Sequence, residues 1–380
     1  MSAKLKILMI GPRPPQLGGI EFVVDDLLKS KLVEWSQVYH LDTSKPKSRS
    51  HSQFKSVSGY ARSFRRPLRI SFYSFGYSII ALLKILMRLA FGGDQIVNLH
   101  SAAYMSFWEK CLFLDLAKLF RKKVVVHIHG SNFDRFVQES RGLQRRLLHA
   151  HLRRFDCVIA LSPLWVKFFA DYLPADKIGL SENGIQTEAY AVKVADPAPF
   201  PCIVFVGEVC QRKGIYDLLD IMPNLVAQLP AVKLIVAGPG EIDQVRQKAE
   251  NLNLLMRVEF VGPQFGLNKL KFLQQGWCFC LPSYAEVFPV VIIEAMACGL
   301  PVVSTQIGGI PDAVVHNETG LLVSAGDRQG LEAALLRILT DQEVRLRMGR
   351  QGKQRAFECY DVNMSAAKLQ SIYQRVASLP

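Results

Sequence analysis

The sequence predicts an α/β protein of two doubly wound parallel-sheet domains facing each other across a cleft. Three observations carry this. Short β-branched runs alternate with helical patterns along the chain, as in a parallel sheet covered on both faces. The alternation restarts after Tyr190–Pro201, where AVKVADPAPFP holds three prolines in eleven residues and has the composition of a linker. A length of 380 residues is too great for one compact core and ordinary for two.

In the first half, LKILMI (5–10) reads as a strand and Ile20–Leu32 as an amphipathic helix. Strands follow near Gln37–Leu41 and Gln95–Leu99, then KVVVHIH (123–129) and DCVIALS (156–162), with a helical pattern over Phe107–Phe120. The second half repeats the scheme with CIVFVG (202–207), VKLIVAG (232–238), RVEFVG (257–262), WCFCLPS (277–283), PVVST (301–305) and GLLV (320–323). The first five end at Gly, Ser or Thr, and Ser324 directly follows the last, as at strands that feed ligand-facing loops. Leu331–Leu339, Asp341–Glu358 and Asn363–Ala377 read as helices. The domains implied are 1–195 and 196–360, with 361–380 a terminal helix packing back on the first.

Hydrophobic residues make up 49% and charged residues 21%, which excludes a disordered or fibrous chain. Eight scattered cysteines with no CxxC pair point to a reducing cytoplasm rather than a disulfide framework or a zinc site. The apolar run Ile7–Ile10 is too short for a secretory segment. The longest uncharged apolar stretch, Ile70–Leu83, is shorter than the roughly 20 residues a bilayer span needs.

The formal charge is +13, and the whole excess lies in the first half. Between Asp42 and Asp94 there is no acidic residue and there are ten basic ones, including Arg62, Arg65, Arg66 and Arg69, interleaved with aromatics. That mixture suits a segment lying on an anionic membrane surface. A solvated loop followed by an ordinary helix is the bland reading. Nucleic acid is the competing partner, but no helix-turn-helix, RNP or zinc pattern accompanies the charge. The expectation is a cytoplasmic protein held peripherally at the inner face of the membrane.

Chemistry concentrates in Glu286-Val-Phe-Pro-Val-Val-Ile-Ile-Glu294. Two carboxylates eight apart can present one at a loop and one about two turns into the following helix. Carboxylates accept from neighbouring sugar hydroxyls, and a helix N-terminus beside them suits a phosphate. Taken alone, such a pair is more often a helix-favouring Glu plus a solvated one. Here Pro282-Ser283 precedes it, Ala295-Met296-Ala297 with Gly299 and Pro301 follows, and Gly308-Gly309-Ile310-Pro311-Asp312 comes next. With these motifs the sequence resembles the retaining glycosyltransferases of family four, proteins of the GT-B fold with two Rossmann-like domains. The resemblance covers nearly the whole chain and is strongest from Phe205 to Val323.

The resemblance implies roles residue by residue. Glu294 matches the carboxylate that holds the ribose of a nucleotide-sugar donor, and Glu286 the one that contacts the donor sugar. The backbone amides of Phe288, Val290 and Val291 are candidates for sugar and phosphate. The segment Phe205–Gly214, with Gly207, Arg212 and the basic residue Lys213, matches the phosphate segment. The loop Val258–Gln264, with Val261 and Gly262, matches the one that takes the base.

Two departures stand out. Glu208 occupies a position where the family commonly has Arg, so it should turn away from the diphosphate unless Arg212 or the first half compensates. Pro289 removes one amide from the loop after Glu286.

In the first half, Gly18 and Gly19 between strand and helix form a plain tight turn or, by resemblance, a loop facing the donor phosphates and acceptor. Glu21 is a secondary acceptor-side candidate. His127 and His129 share one face of a strand end. His129 matches the family's active-site histidine beside the donor sugar, whereas a core or surface histidine is the usual reading of His127, with an acceptor-side role the alternative. No carboxylate or Cys lies at ligand spacing, so no metal is expected. Asn183 lies in an Asn-Gly turn that is either positioning or merely structural.

The function implied is a retaining, metal-independent glycosyltransferase without a cofactor. It moves a hexosyl group from a nucleotide sugar to a lipid-linked or membrane-associated glycan, as in bacterial surface polysaccharide assembly. A sugar-nucleotide epimerase on the same fold, or a non-catalytic membrane or nucleic-acid binding protein, are the alternatives.

Overall fold

The computed structural model describes residues 4–14, 19–44 and 72–379, with backbone alone over 72–81. Gly18 and the basic residues Arg62, Arg65, Arg66 and Arg69 lie outside the described residues. Gln186–Tyr360 form one compact unit; the described residues up to Ile185, together with those from Asp361 on, form the other.

The first unit holds β1 (Lys6–Gly11), β2 (Gln37–Asp42), β3 (Ile96–Ser101), β4 (Lys123–Ile128), β5 (Cys157–Ala160) and β6 (Ile178–Leu180). They form one parallel sheet in the order β2-β1-β3-β4-β5-β6. Ile7 to Ile10 and Val124 to Val126 are fully buried, as expected of central strands covered on both faces. The reversal of strand order beside β1 is the topological switch point of a doubly wound sheet, where such folds bind ligands.

The second unit holds β7 (Cys202–Val206), β8 (Lys233–Ala237), β9 (Val258–Phe260), β10 (Cys278–Leu281), β11 (Val302–Thr305) and β12 (Gly320–Val323). Its parallel order is β12-β11-β10-β7-β8-β9. The fold class is therefore two Rossmann-like α/β units, each with its own six-stranded sheet.

Two elements depart from the sequence reading. The helix expected over Ile20–Leu32 is two, Gly19–Leu28 and Leu32–Trp35. Ser30 breaks it: its hydroxyl donates to the Leu27 carbonyl at 2.7 Å and accepts from the Leu32 amide at 3.2 Å. A serine offering local bonds of this kind competes with the helical ladder. Strand β6 was not expected, since Ile-Gly-Leu is too short to show a period.

The proline-rich stretch is held against the second unit. The Gln274 carboxamide accepts from the Val194 and Ala195 amides and donates to the Val192 carbonyl, while the Trp277 indole donates to the Ala198 carbonyl. The helix Val362–Ala377 packs within the first unit: Lys368 pairs with Glu182 at 2.5 Å, and Ser36 donates to Gln370. The eight cysteines are unpaired. No helix among the described residues is long and apolar enough to cross a membrane.

Candidate active site

In the second unit, three loops at carboxyl ends of strands converge. The segment after β7 turns through Gly207 and reaches Gln211–Lys213, a short 3-10 turn, before the helix Ile215–Gln228. Gly214 makes the approach to the next loop possible. Its φ is +74°, and a Cβ there would meet the Pro282 carbonyl oxygen at 2.0 Å. That contact, with the Tyr284 amide donating to the Arg212 carbonyl at 2.8 Å, fixes the basic segment against the loop of Glu286.

Glu286 is 7% exposed and its carboxylate is doubly held. The Lys213 ammonium donates to Oε1, and the Ser283 hydroxyl donates to the same oxygen at 2.9 Å. A buried carboxylate needs this pairing, because desolvation would otherwise cost several kcal/mol. Two residues earlier, the Tyr284 hydroxyl donates to Asp217 at 2.6 Å, and Arg328 closes on the same carboxylate at 2.8 Å. Asp217 lies in the helix that follows Lys213, so this network ties the Lys213 segment to the Glu286 loop.

Glu294 sits in the helix Val290–Ala297 at its fifth residue, about one turn in rather than two, because Pro289 delays the start of the helix. Its Oε1 accepts from the Tyr190 hydroxyl at 2.8 Å and its Oε2 pairs with Lys269. No side chain caps this helix, and the amides of Val290 and Val291 open its first turn. Phe288 is buried with its ring 5.5 Å from that of Tyr360. Val261 and Gly262 follow β9, where the Gly262 carbonyl accepts from the Gly238 amide.

Glu208 is neutralised within its own segment. Arg212 donates to its Oε2 at 3.0 Å and to the Ala285 carbonyl at 3.3 Å. Arg212 thus offsets the acidic departure from the family pattern while lying beside the Glu286 loop. Lys269 and Tyr190 are functional candidates that no motif signalled.

In the first unit, His100 on β3 and His127 on β4 are in register. His129 follows just beyond β4, with its amide donating to the Ser101 carbonyl. His100 Nδ1 lies 3.0 Å from His129 Nε2, and Asn98 Nδ2 lies 3.3 Å from His100 Nε2. Burial holds all three imidazoles neutral; it pushes His129 down to about 3 and His100 and His127 well below the ordinary range. His100 was missed in the sequence, although its place at a strand end mirrors that of His129. Asn183 is buried in a small cavity lined also by His127, Ser181, Glu182 and Ser365. Gly19 opens the first helix, and Glu21 in that helix is buried.

Two Rossmann-like units, the second with paired carboxylates and a lysine at its strand ends, define the GT-B class of proteins. Residues 17–189 match Glycosyltransferase Family 4 and residues 187–355 match Glycosyl transferases group 1. The chain belongs to glycosyltransferase family 4. It is 30% identical over 239 residues to the amylovoran biosynthesis glycosyltransferase of Erwinia amylovora, covering 58% of this chain and 56% of that protein. It is 29% identical over 224 residues to the phosphatidyl-myo-inositol mannosyltransferase of Mycolicibacterium smegmatis, covering 58% and 57%. The chain thus matches little more than half the length of these curated relatives. The fold superposes on sucrose-phosphate synthase of Thermosynechococcus elongatus with a TM-score of 0.74, at 22% identity over 98% of both chains.

Proposed function

We propose that the protein transfers a sugar from a nucleotide-sugar donor to a lipid-linked or membrane-associated glycan, with retention of anomeric configuration and without a divalent metal. The observation that carries this is the buried Lys213–Glu286 pair, joined by Ser283 and followed one turn into a helix by Glu294. These groups match the chemical needs of such a donor. Its sugar hydroxyls donate to Glu286 and its ribose hydroxyls to Glu294, each charge-assisted bond contributing about 1.5–3 kcal/mol.

In the proposed reaction the diphosphate competes with Glu286 for the Lys213 ammonium. Lys213 and the first-turn amides of the Val290–Ala297 helix then stabilise the negative charge that develops on the departing diphosphate. The acceptor hydroxyl attacks from the face that the diphosphate leaves. The bond from the anomeric carbon to the phosphate oxygen breaks as the new glycosidic bond forms, and the acceptor proton passes to the leaving phosphate oxygen. His129, which the family resemblance assigns to the donor sugar, meets it as a neutral imidazole, because burial lowers its pKa to about 3.

The acceptor assignment rests on two supports. The M. smegmatis relative is named for glycosylating phosphatidyl-myo-inositol, a lipid, and the acid-free basic interval offers charge for an anionic surface.

Glu286→Ala, Lys213→Ala and His129→Ala should each lower kcat about 10²-fold or more, read as release of nucleoside diphosphate from the cognate donor. Turnover near that of the wild type in all three would defeat the assignment. EDTA should leave turnover undiminished; loss of activity restored by Mg²⁺ would contradict the electrostatic role of Lys213.

A further inference from the structure

The first unit contains a buried polar cluster whose bonding is incomplete. His127 is 2% exposed, and neither of its ring nitrogens has a hydrogen-bond partner among the described residues. A buried polar atom without a partner is uncommon and calls for a ligand or a strained role. Asn98 Oδ1, also buried, is unpartnered too. Asn98 lies against His100, His127 lies beside both His100 and His129, and one nitrogen from each of the three histidines falls within 4.8 Å of the others.

We propose that His100, His127 and His129 form a binding site for one borderline transition-metal ion of the Zn²⁺ type. Ligands made only of imidazole suit Zn²⁺, Co²⁺, Ni²⁺ and Cu²⁺ rather than Mg²⁺ or Ca²⁺. With Zn–N bonds of about 2.0–2.1 Å, tetrahedral ligand nitrogens stand about 3.3 Å apart. His100 Nδ1 and His129 Nε2 share a hydrogen bond of 3.0 Å, which the ion would replace as the two nitrogens part by about 0.3 Å. The ligand atoms of all three histidines lie within 4.8 Å of one another, so closing the third corner takes a shift of at most about 1.5 Å.

The surrounding shell suits this set. Turning the Asn98 amide over would place Oδ1, now unpartnered, to accept from His100 Nε2–H. That leaves His100 Nδ1 free for the ion, the outer-shell arrangement that orients metal-bound histidines. His127 also lines the small cavity walled by Ser181, Asn183 and Ser365. His129 is only partly buried, so the fourth position opens on its side to water or hydroxide. Spacing along the chain could not show this site, because its third ligand comes from the neighbouring strand.

Occupancy would withdraw His129 Nε2 from other bonding, so the ion should inhibit transfer rather than support it. That consequence rests on the functional reading above; the site itself does not.

Co²⁺ titrated into metal-free full-length protein should give one equivalent of tetrahedral visible absorption. The band should be lost in His127→Ala and His100→Ala. X-ray absorption of the Zn²⁺-loaded wild type needs no variant and should show three imidazole nitrogens at about 2.0 Å. Absence of a Co²⁺ band in the wild type, its persistence in both variants, or a carboxylate- or thiolate-rich shell would overturn the site. Zn²⁺ should lower turnover over the concentration range in which it displaces Co²⁺, and undiminished turnover at saturation would overturn the inhibitory consequence. Failure of the functional reading shows separately, as a lack of donor binding in metal-free protein.

Discussion

Glu21 lies in the first turn of the Gly19–Leu28 helix with 7% of its surface exposed, and burial raises the pKa of its carboxyl above the ordinary 4.5. Asp42 adds to the shift, against a lowering contribution from the backbone of Glu21 itself. A raised folded-state value means that the folded chain holds this proton more tightly than the unfolded chain. Its contribution to stability is therefore full below the ordinary value and is lost as pH rises through the raised one. Glu21→Gln should raise Tm at pH 7 relative to the wild type, and the gain should shrink toward zero near pH 4. An equal gain at both pH values would show that the carboxyl does not titrate as described. At this scale legibility followed locality. Glu286, Glu294 and Lys213 stood out because short motifs surround them. Tyr190 could not be seen, because 104 residues separate it from the Glu294 it contacts. Lys269 was hidden for the same reason: it reaches Glu294 from a helix with no motif of its own.

Among the elements, the loop carrying Glu286 depends on the one after β11. Gly308 has φ +56°, and a Cβ there would meet the Glu286 carbonyl oxygen at 1.9 Å. Since both atoms are backbone or attached to it, neither can turn aside. Gly308→Ala should destabilise the protein by about 2 kcal/mol or more and weaken donor binding, because the Glu286 loop must move. The helix Gln342–Cys359 provides the contrast. Asp341 caps it, its carboxylate accepting from the Val344 amide at 2.9 Å, and Asp341→Ala should cost about 1 kcal/mol without changing donor affinity. Chemical denaturation and donor titration on both variants separate the two effects; equal donor affinity in Gly308→Ala and Asp341→Ala would remove the structural role of Gly308. The strands with a buried apolar run and the helices from Leu331 onward were legible from their pattern, whereas the helices Gly142–Arg154, Ile215–Gln228 and Ile242–Asn251 were not singled out. The break at Ser30 and the three-residue β6 were not legible, since each depends on bonds that a pattern of apolar spacing does not encode.

For the molecule as a whole, the two-unit α/β architecture was legible because the strand–helix alternation restarts. The uneven charge was legible as well. The basic interval implies that the protein should cosediment with anionic liposomes at about 0.1 M salt. Neutralising Arg62, Arg65, Arg66 and Arg69 should abolish that binding, as should high salt; no binding by the wild type would defeat the membrane assignment. The central claim, however, is that the second unit binds a nucleotide sugar through Glu286, Lys213 and Glu294. Calorimetric titration of UDP-, GDP- and ADP-sugars into the wild type and Glu294→Ala tests it most directly. One donor class should bind with one-to-one stoichiometry and weaken by about tenfold or more in the variant, a loss of at least about 1.4 kcal/mol. Binding of no sugar nucleotide by the wild type, or equal affinity in Glu294→Ala, would contradict the account.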